Sequence, residues 1–385
     1  MQIAFITPNY PSISRPTSGT FVRQFVTAMG RQGNACSVIN PITLLDRRHG
    51  VLPSIKFMDD DGGNGDISVY RPRYLSYSSK NLGFTHTGCW SNASFQSASL
   101  KTIQNLKLRP DITYGHFMYP SGYTAIRAAH KMNVPSVVGV GEGEFWTIEP
   151  IGFSRATLQL QDASAFLAVS NYIASELTSR LGIPSNKIKV FPNGVSLEVF
   201  CPTNNRVAIC SALGLPSDTF NVGYVGPFIF QKGYPQLRDA VADIDDVRLI
   251  LLGRGQLPSV DQKIAFSGAV PHSEVPKYLG SCQIFVLPTL IEGSCNAVIE
   301  AMACGLPIVT SNGSYMDDIV DDDVAIRVEP TDVRAIREAI LALKNNPELR
   351  EKMSKACLRK AKQFDINERA RRITAWMEEL IKSNL

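Results

Sequence analysis

The chain has 385 residues, 44% hydrophobic and 19% charged, with a formal net charge of +4. That length exceeds one ordinary domain and suits two, each able to bury its own core, and the composition is that of a folded globular protein, which excludes disorder. The charge is too small to argue for nucleic acid. It is uneven: residues 1–190 hold 18 Lys and Arg against 11 Asp and Glu, hence +7, which leaves −3 for the rest. Arg47, Arg48, Lys56, Arg71, Arg73 and Lys80 could meet an anionic ligand or an anionic membrane surface, or form a solvated basic face. No run approaches the roughly 18–20 uninterrupted apolar residues of a membrane span, and residues 1–6 begin as a strand without a basic and apolar leader, so a cytoplasmic protein is expected. The eight cysteines are far apart, with no zinc-like spacing, and read as reduced, mostly buried thiols.

Short apolar runs alternate with helix-period segments, the pattern of parallel strands joined by crossover helices, so both halves read as α/β. In the first half, residues 3–7, 37–39, 112–115, 136–140 and 165–169 are predicted strands, and residues 20–30 a helix that starts after Gly19. Between residues 40 and 96 the periodicity fails, and Pro53, Gly62, Gly63, Gly65 and Pro72 mark an irregular, variable region outside the core. A second parallel series, 221–225, 248–252, 264–267, 284–287, 307–309 and 325–328, follows Pro192-Asn193-Gly194. The tail from Asp332 is helical, with caps at Thr331 or Asp332 and near Asn346-Pro347. Two doubly wound domains would place ligands at the carboxyl ends of their strands, in a crevice between them.

The most informative stretch runs Leu287-Pro-Thr-Leu-Ile-Glu292-Gly-Ser-Cys-Asn-Ala-Val-Ile-Glu300-Ala-Met-Ala-Cys-Gly-Leu-Pro307. It reads strand, tight loop, helix. Glu292 stands in the loop, Gly293 lets backbone approach a ligand, and Ser294, Cys295 and Asn296 open a helix whose amides and dipole favour a phosphate. Glu300, about two turns further on, could accept both hydroxyls of a ribose. Gly139, Gly141 and Gly143 superficially suggest a dinucleotide loop, but no helix and ribose acid follow at the proper spacing.

With its flanking Leu-Pro and Ala-Met-Ala-Cys-Gly-Leu-Pro, this segment resembles the donor-binding signature of the retaining glycosyltransferases of family 4, as found in bacterial surface-polysaccharide synthesis. The resemblance runs over nearly the whole chain and is thin between residues 40 and 100. It implies a GT-B fold: an acceptor-side Rossmann-like domain (1–195), a nucleotide-sugar donor domain (196–362) and a closing helix (363–385) returning to the first. Pro192-Asn193-Gly194-Val195 resembles the linker turn, Gly226 to Lys232-Gly233 the phosphate-contact loop, Leu251-Leu252-Gly253 the strand end beneath the donor, and Ser267 to Val270 with Pro276 to Leu279 the base-binding loop and helix.

The implied roles follow residue by residue. Lys232 would meet the diphosphate, Glu292 the sugar hydroxyls and Glu300 the ribose. His116, after Tyr114-Gly115, resembles the histidine that faces the transferred sugar; Gly19, in Thr17-Ser18-Gly19-Thr20, would offer helix-start amides to donor phosphates; and Glu144 would orient the acceptor. The chain departs from the family at Pro227, where an Arg is usual, and Arg254 could supply a substitute charge. The expected donor is a nucleotide-diphosphate sugar carrying a hexose, the acceptor a glycan or lipid-linked glycan, with no cofactor and no metal. Another enzyme on the same fold, such as a nucleotide-sugar epimerase or a glycogen-synthase-like polymerase, and a donor-binding but inactive partner subunit are the alternatives.

Overall fold

The computed structural model describes residues 1–384 except 13–14, 16–17, 45–55, 59–66, 78–79, 84–85, 204 and 257–260, and the backbone alone at 56–58. Thr17, Arg47, Arg48, Pro53, Gly62, Gly63 and Gly65 therefore lie outside the described residues, as does the side chain of Lys56. The chain forms two compact units, Met1–Phe191 with Ile366–Leu385, and Pro192–Asp365.

The first unit is built on β1 (Gln2–Ile6), β2 (Ala35–Ile39), β3 (Ile42–Thr43), β4 (Lys56–Met58), β5 (Ile67–Tyr70), β6 (Arg73–Tyr74), β7 (Ile112–His116), β8 (Ser136–Val140), β9 (Ala165–Ala168) and β10 (Ile188–Val190). Eight of these form one sheet in the order β10-β9-β8-β7-β1-β2-β5-β4, parallel except for β4. Its helices are α1 (Thr20–Arg31), α2 (Thr87–Asn105), α3 (Tyr123–Met132), α4 (Phe153–Leu160) and α5 (Asn171–Leu181). The period-2 alternation of a strand divides β1 between two cores. Ile3 and Phe5 pack with Val22, Phe25 and Met29 of α1. Ala4 and Ile6 pack with Phe95 and Ile103 of α2 and Ala125 of α3.

The region from 40 to 96 is not wholly outside the core, contrary to the reading of its composition. Ile67 and Val69 of β5 are buried in the main cluster, and β5 pairs with β2 in register Cys36↔Ile67 to Ile39↔Tyr70. The alternation Ile-Ser-Val-Tyr is a strand signal too short to stand out between Gly- and Pro-rich flanks. Arg71 likewise leaves the basic face: it is buried, and its guanidinium donates to the Pro11 carbonyl at 2.7 Å.

The second unit carries β11 (Phe220–Val225), β12 (Val247–Leu252), β13 (Ile264–Gly268), β14 (Ile284–Leu287), β15 (Ile308–Ser311) and β16 (Ala325–Val328), all parallel, in the order β13-β12-β11-β14-β15-β16. Its helices are α6 (Arg206–Leu213), α7 (Tyr234–Val241), α8 (Val275–Leu279), α9 (Asn296–Ala303), α10 (Val333–Asn345) and α11 (Pro347–Ala361). Asp332 caps α10 by accepting from the Ala335 amide at 3.0 Å, and Asn346 caps α11 by accepting from Leu349 at 2.9 Å. The strand order reverses between β11 and β14, as it does between β1 and β7 in the first unit, and such switch points open a crevice at the strands' carboxyl ends.

The last helix, α12 (Ile366–Asn384), belongs to the first unit. Ile373 and Met377 are fully buried against the α1 side of the sheet, with Trp376 and Leu380 packed at the edge of the same cluster. The observed divisions fall at 191/192 and 365/366, a few residues from the expected 195/196 and 362/363. Backbone pairing explains the shift: the Val195 amide donates to the Phe364 carbonyl at 2.8 Å, so both passing segments are bound into the second unit. Among the described residues, no helix is long and apolar enough to cross a membrane.

Met377→Ala is expected to destabilise the first unit by about 2–5 kcal/mol, the cost of emptying a closed core site. Hydrogen exchange should report lost protection in β1 and α1, and unchanged exchange there would contradict the packing.

Candidate active site

In the second unit, the predicted residues gather at the carboxyl ends of β11, β12, β13 and β14. The loop after β11 carries Gly226, Pro227 and Lys232, and the loop after β14 carries Glu292 to Cys295. The two loops are laced together, since the Leu290 amide and the Thr289 hydroxyl both donate to the Gln231 carbonyl, at 2.9 and 3.1 Å. Gly233 makes this possible: its φ of +72° disfavours any side chain, and a Cβ there would stand 2.1 Å from the Pro288 carbonyl oxygen. Held in this way, Lys232 Nζ meets Glu292 Oε1 at 2.5 Å.

Ser294 has a structural task. Its hydroxyl accepts from the Asn193 amide at 3.2 Å and its carbonyl from Asn193 Nδ2 at 3.3 Å, which ties the Pro192-Asn193-Gly194 turn to the Gly293 loop. Cys295 is buried, and its thiol is pushed well above the ordinary range, first by burial and then by the charge of Glu292, to which it hydrogen-bonds. It is therefore a neutral thiol, not a nucleophile. Asn296 opens α9, and its Oδ1 is buried with no donor among the described residues.

Glu300, one side of α9, is buried at 8% exposure, and its Oε1 stands 2.8 Å from Nε2 of His272. Burial pushes the His272 imidazole down, but the hydrogen bond and charge of Glu300 outweigh it and hold the pKa above the ordinary value. Sequence reasoning missed His272. It lies between the Ser267–Val270 and Pro276–Leu279 motifs, and a lone histidine in a loop offers no pattern by itself. Arg254 is exposed at the end of β12, and its carbonyl accepts from the Phe228 amide at 2.8 Å, which places it alongside the Pro227 loop.

In the first unit, Gly19 starts α1 with φ +72° and no side-chain cap, and a Cβ on it would lie 2.5 Å from the Asn9 backbone. His116, at the end of β7, stacks 5.4 Å from Phe21 in the first turn of α1 and 4.5 Å from Phe117, so the two predicted positions adjoin. Tyr114 Oη is 3.2 Å from His116 Nδ1. Burial, reinforced by the Arg369 charge, lowers the imidazole pKa to about 3, which keeps it neutral. Glu144 is exposed.

The carboxylate that sequence reasoning passed over is its neighbour Glu142, 4% exposed. It accepts from the Met118 amide at 3.1 Å, the Gly141 amide at 3.1 Å and the Thr147 hydroxyl at 3.2 Å. It thereby clamps the turn after His116, where Phe117 takes the strained φ of +72°. An acid between two glycines just after a buried strand was the available signal. Burial raises its pKa to about 7 against the opposing hydrogen bonds.

The folded state thus holds the Glu142 proton more tightly than the unfolded chain does. This contribution to stability is complete below pH about 4.5 and is lost as pH rises to about 7. Relative to Glu142→Gln, the wild type should lose roughly 2–3 kcal/mol between pH 5 and 8, at about 1.4 kcal/mol per pH unit. Urea unfolding of both proteins checks this, and parallel pH dependences would contradict it.

The chain is similar to known proteins along most of its length. Residues 18–199 match the model of Glycosyltransferase Family 4, and residues 208–359 that of Glycosyl transferases group 1. The chain is 28% identical, over 88% of each sequence, to the putative teichuronic acid biosynthesis glycosyltransferase TuaC of Bacillus subtilis. It is 31% identical to the capsular polysaccharide biosynthesis glycosyltransferase CapM of Staphylococcus aureus, over 52% of this chain and 59% of that one. Among solved structures, sucrose-phosphate synthase of Thermosynechococcus elongatus superposes with a TM-score of 0.80 at 18% identity, covering 100% of both chains. Anabaena HepE in complex with UDP-glucose gives 0.74 at 15% identity, covering 98% of this chain and 100% of that one. With two family models adjoining along most of its length and this fold, the chain belongs to the family 4 glycosyltransferases of GT-B architecture and resembles those of surface-polysaccharide synthesis.

Proposed function

We propose that the protein is a retaining, metal-independent glycosyltransferase that moves a hexose from a nucleotide-diphosphate sugar to a glycan or lipid-linked acceptor in surface-polysaccharide synthesis, in the cytoplasm or peripherally at the inner face of the membrane. The observation that carries this reading is the pairing, at one switch-point crevice, of a buried Glu300 held by His272 with a Glu292 held by Lys232. Glu300 keeps a second carboxylate oxygen for the ribose, and Lys232 brings a positive charge to the diphosphate. The start of α9 adds bare amides, and the unmatched Asn296 Oδ1 suits a hydroxyl donor.

In this mechanism the sugar–phosphate bond breaks, negative charge grows on the leaving diphosphate, and Lys232 with the α9 amides stabilises it. The acceptor hydroxyl attacks the same face of the anomeric carbon and its proton passes to the departing phosphate. Glu292 orients sugar hydroxyls, and His116, neutral at working pH, donates or accepts a hydrogen bond at the sugar. Glu144, exposed in the first unit, orients the acceptor. Arg254 follows β12 with its backbone bonded to the Pro227 loop, and on the active-enzyme reading its side chain supplies the charge that the loop lacks at Pro227.

Glu300→Ala should weaken nucleoside diphosphate binding about 10- to 100-fold, the worth of one or two hydrogen bonds to a charged group. Glu292→Ala should bind free nucleotide nearly as wild type does and transfer sugar slowly. Calorimetry on both variants tests the division, and wild-type nucleotide affinity in Glu300→Ala would refute it. Transfer should also persist in EDTA, since side chains and helix amides meet the phosphate charge; turnover abolished by chelation and restored by magnesium or manganese would overturn that part.

A further inference from the structure

The first unit holds a second concave feature that the donor chemistry leaves unused. A pocket of about 210 Å³ opens between α2, the Tyr119-Pro120 turn, α3 and α4. That is the space of about seven water molecules at roughly 30 Å³ each, the scale of one small anionic group with part of a sugar. Tyr119 and Pro120 follow His116 by three and four residues, so the pocket lies beside the carboxyl end of β7, where ligands of such sheets bind.

Its two charged lining residues, Arg127 and Arg155, are both exposed cations. Among the described residues neither forms an ion pair. Arg127 donates only weakly, to the Tyr123 hydroxyl at 3.4 Å, and its guanidinium stands 6.0 Å from that ring. The rest of the polar lining is neutral: Asn92 and Gln96 of α2, and Gln159, whose Oε1 accepts from Tyr119 Oη at 2.9 Å and whose amide group remains a donor. Two guanidiniums and several neutral donors around a concave wall make a positive, donor-rich environment, which favours an oxyanion over a neutral hydroxyl.

We propose that this pocket is an anion subsite in which Arg127 and Arg155 bind a carboxylate or phosphate group carried by the acceptor. The inference rests on the acceptor-side reading of the first unit, and it makes an acidic acceptor the expected substrate class.

The test uses the full chain and needs neither donor nor turnover, so its failure leaves the transferase reading standing. Glucuronate, inorganic phosphate and, as neutral control, glucose are titrated into wild type, Arg127→Gln/Arg155→Gln and the charge-keeping Arg127→Lys/Arg155→Lys, with thermal unfolding confirming that each is folded. The expected result is that at least one anion binds wild type, that glucose does not, that the Gln variant binds that anion at least tenfold more weakly, and that the Lys variant recovers part of the loss. Preference for glucuronate would identify a sugar acid, and preference for phosphate a phosphate-bearing linker. Equal affinity in wild type and the Gln variant, or no anion binding by wild type, would overturn the proposal.

Discussion

The ion pair between Lys232 and Glu292 holds two opposite charges together at the carboxyl ends of parallel strands, and the chemistry proposed for the second unit turns on it. A lysine alone on the loop after β11 would sample many positions, and a half-buried carboxylate alone would pay for its desolvation. Paired at 2.5 Å, each orients the other. The pair depends in turn on Gly233, whose missing side chain lets the two loops touch, and on Asn193, which anchors the Ser294 end. A diphosphate entering this crevice would compete with Glu292 for the ammonium, and freeing Glu292 in this way would give it to the sugar.

The first unit uses the same architecture differently. Its switch point brings His116 beside the start of α1, where burial and the Arg369 charge keep the imidazole neutral, Tyr114 Oη stands 3.2 Å away, and a carboxyl whose proton is retained to about pH 7 clamps the following turn. The α12 helix completes this half from the far end of the chain. Arg369 stacks 4.8 Å from Phe25 and donates to the Phe191 carbonyl at 3.3 Å, and Asn34 Nδ2 donates to the Thr374 hydroxyl at 2.9 Å.

Most of this was legible in the sequence wherever a local rule carries the structure. Parallel strands of a covered sheet appear as short apolar runs, which located all six strands of the second sheet to within two residues at each end, including the less buried edge strands β13 and β16. Asp332 and Asn346 were legible as caps because capping is local. The stripe of Ile373, Trp376, Met377 and Leu380 was legible because helix periodicity is local. What escaped depends on contacts far apart in the chain. β5 becomes core only through β2, and His272 matters only because α9 turns Glu300 toward it. Glu142 becomes a clamp only once the turn after β7 folds over the end of β8. The basic patch failed at Arg71 for the same reason, since nothing local marks an arginine for burial against the Pro11 carbonyl.

In the proposed function, the crevice of the second unit grips a nucleoside diphosphate through Glu300, Lys232 and the start of α9. A crystal structure of the chain with a bound nucleoside diphosphate, chosen by screening UDP, GDP, ADP, CDP and dTDP, tests it most directly. Both ribose hydroxyls should lie on the Glu300 carboxylate, and the diphosphate on Lys232 and the amides beyond Gly293. A nucleotide bound elsewhere, or one whose ribose leaves Glu300 uncontacted, would contradict it.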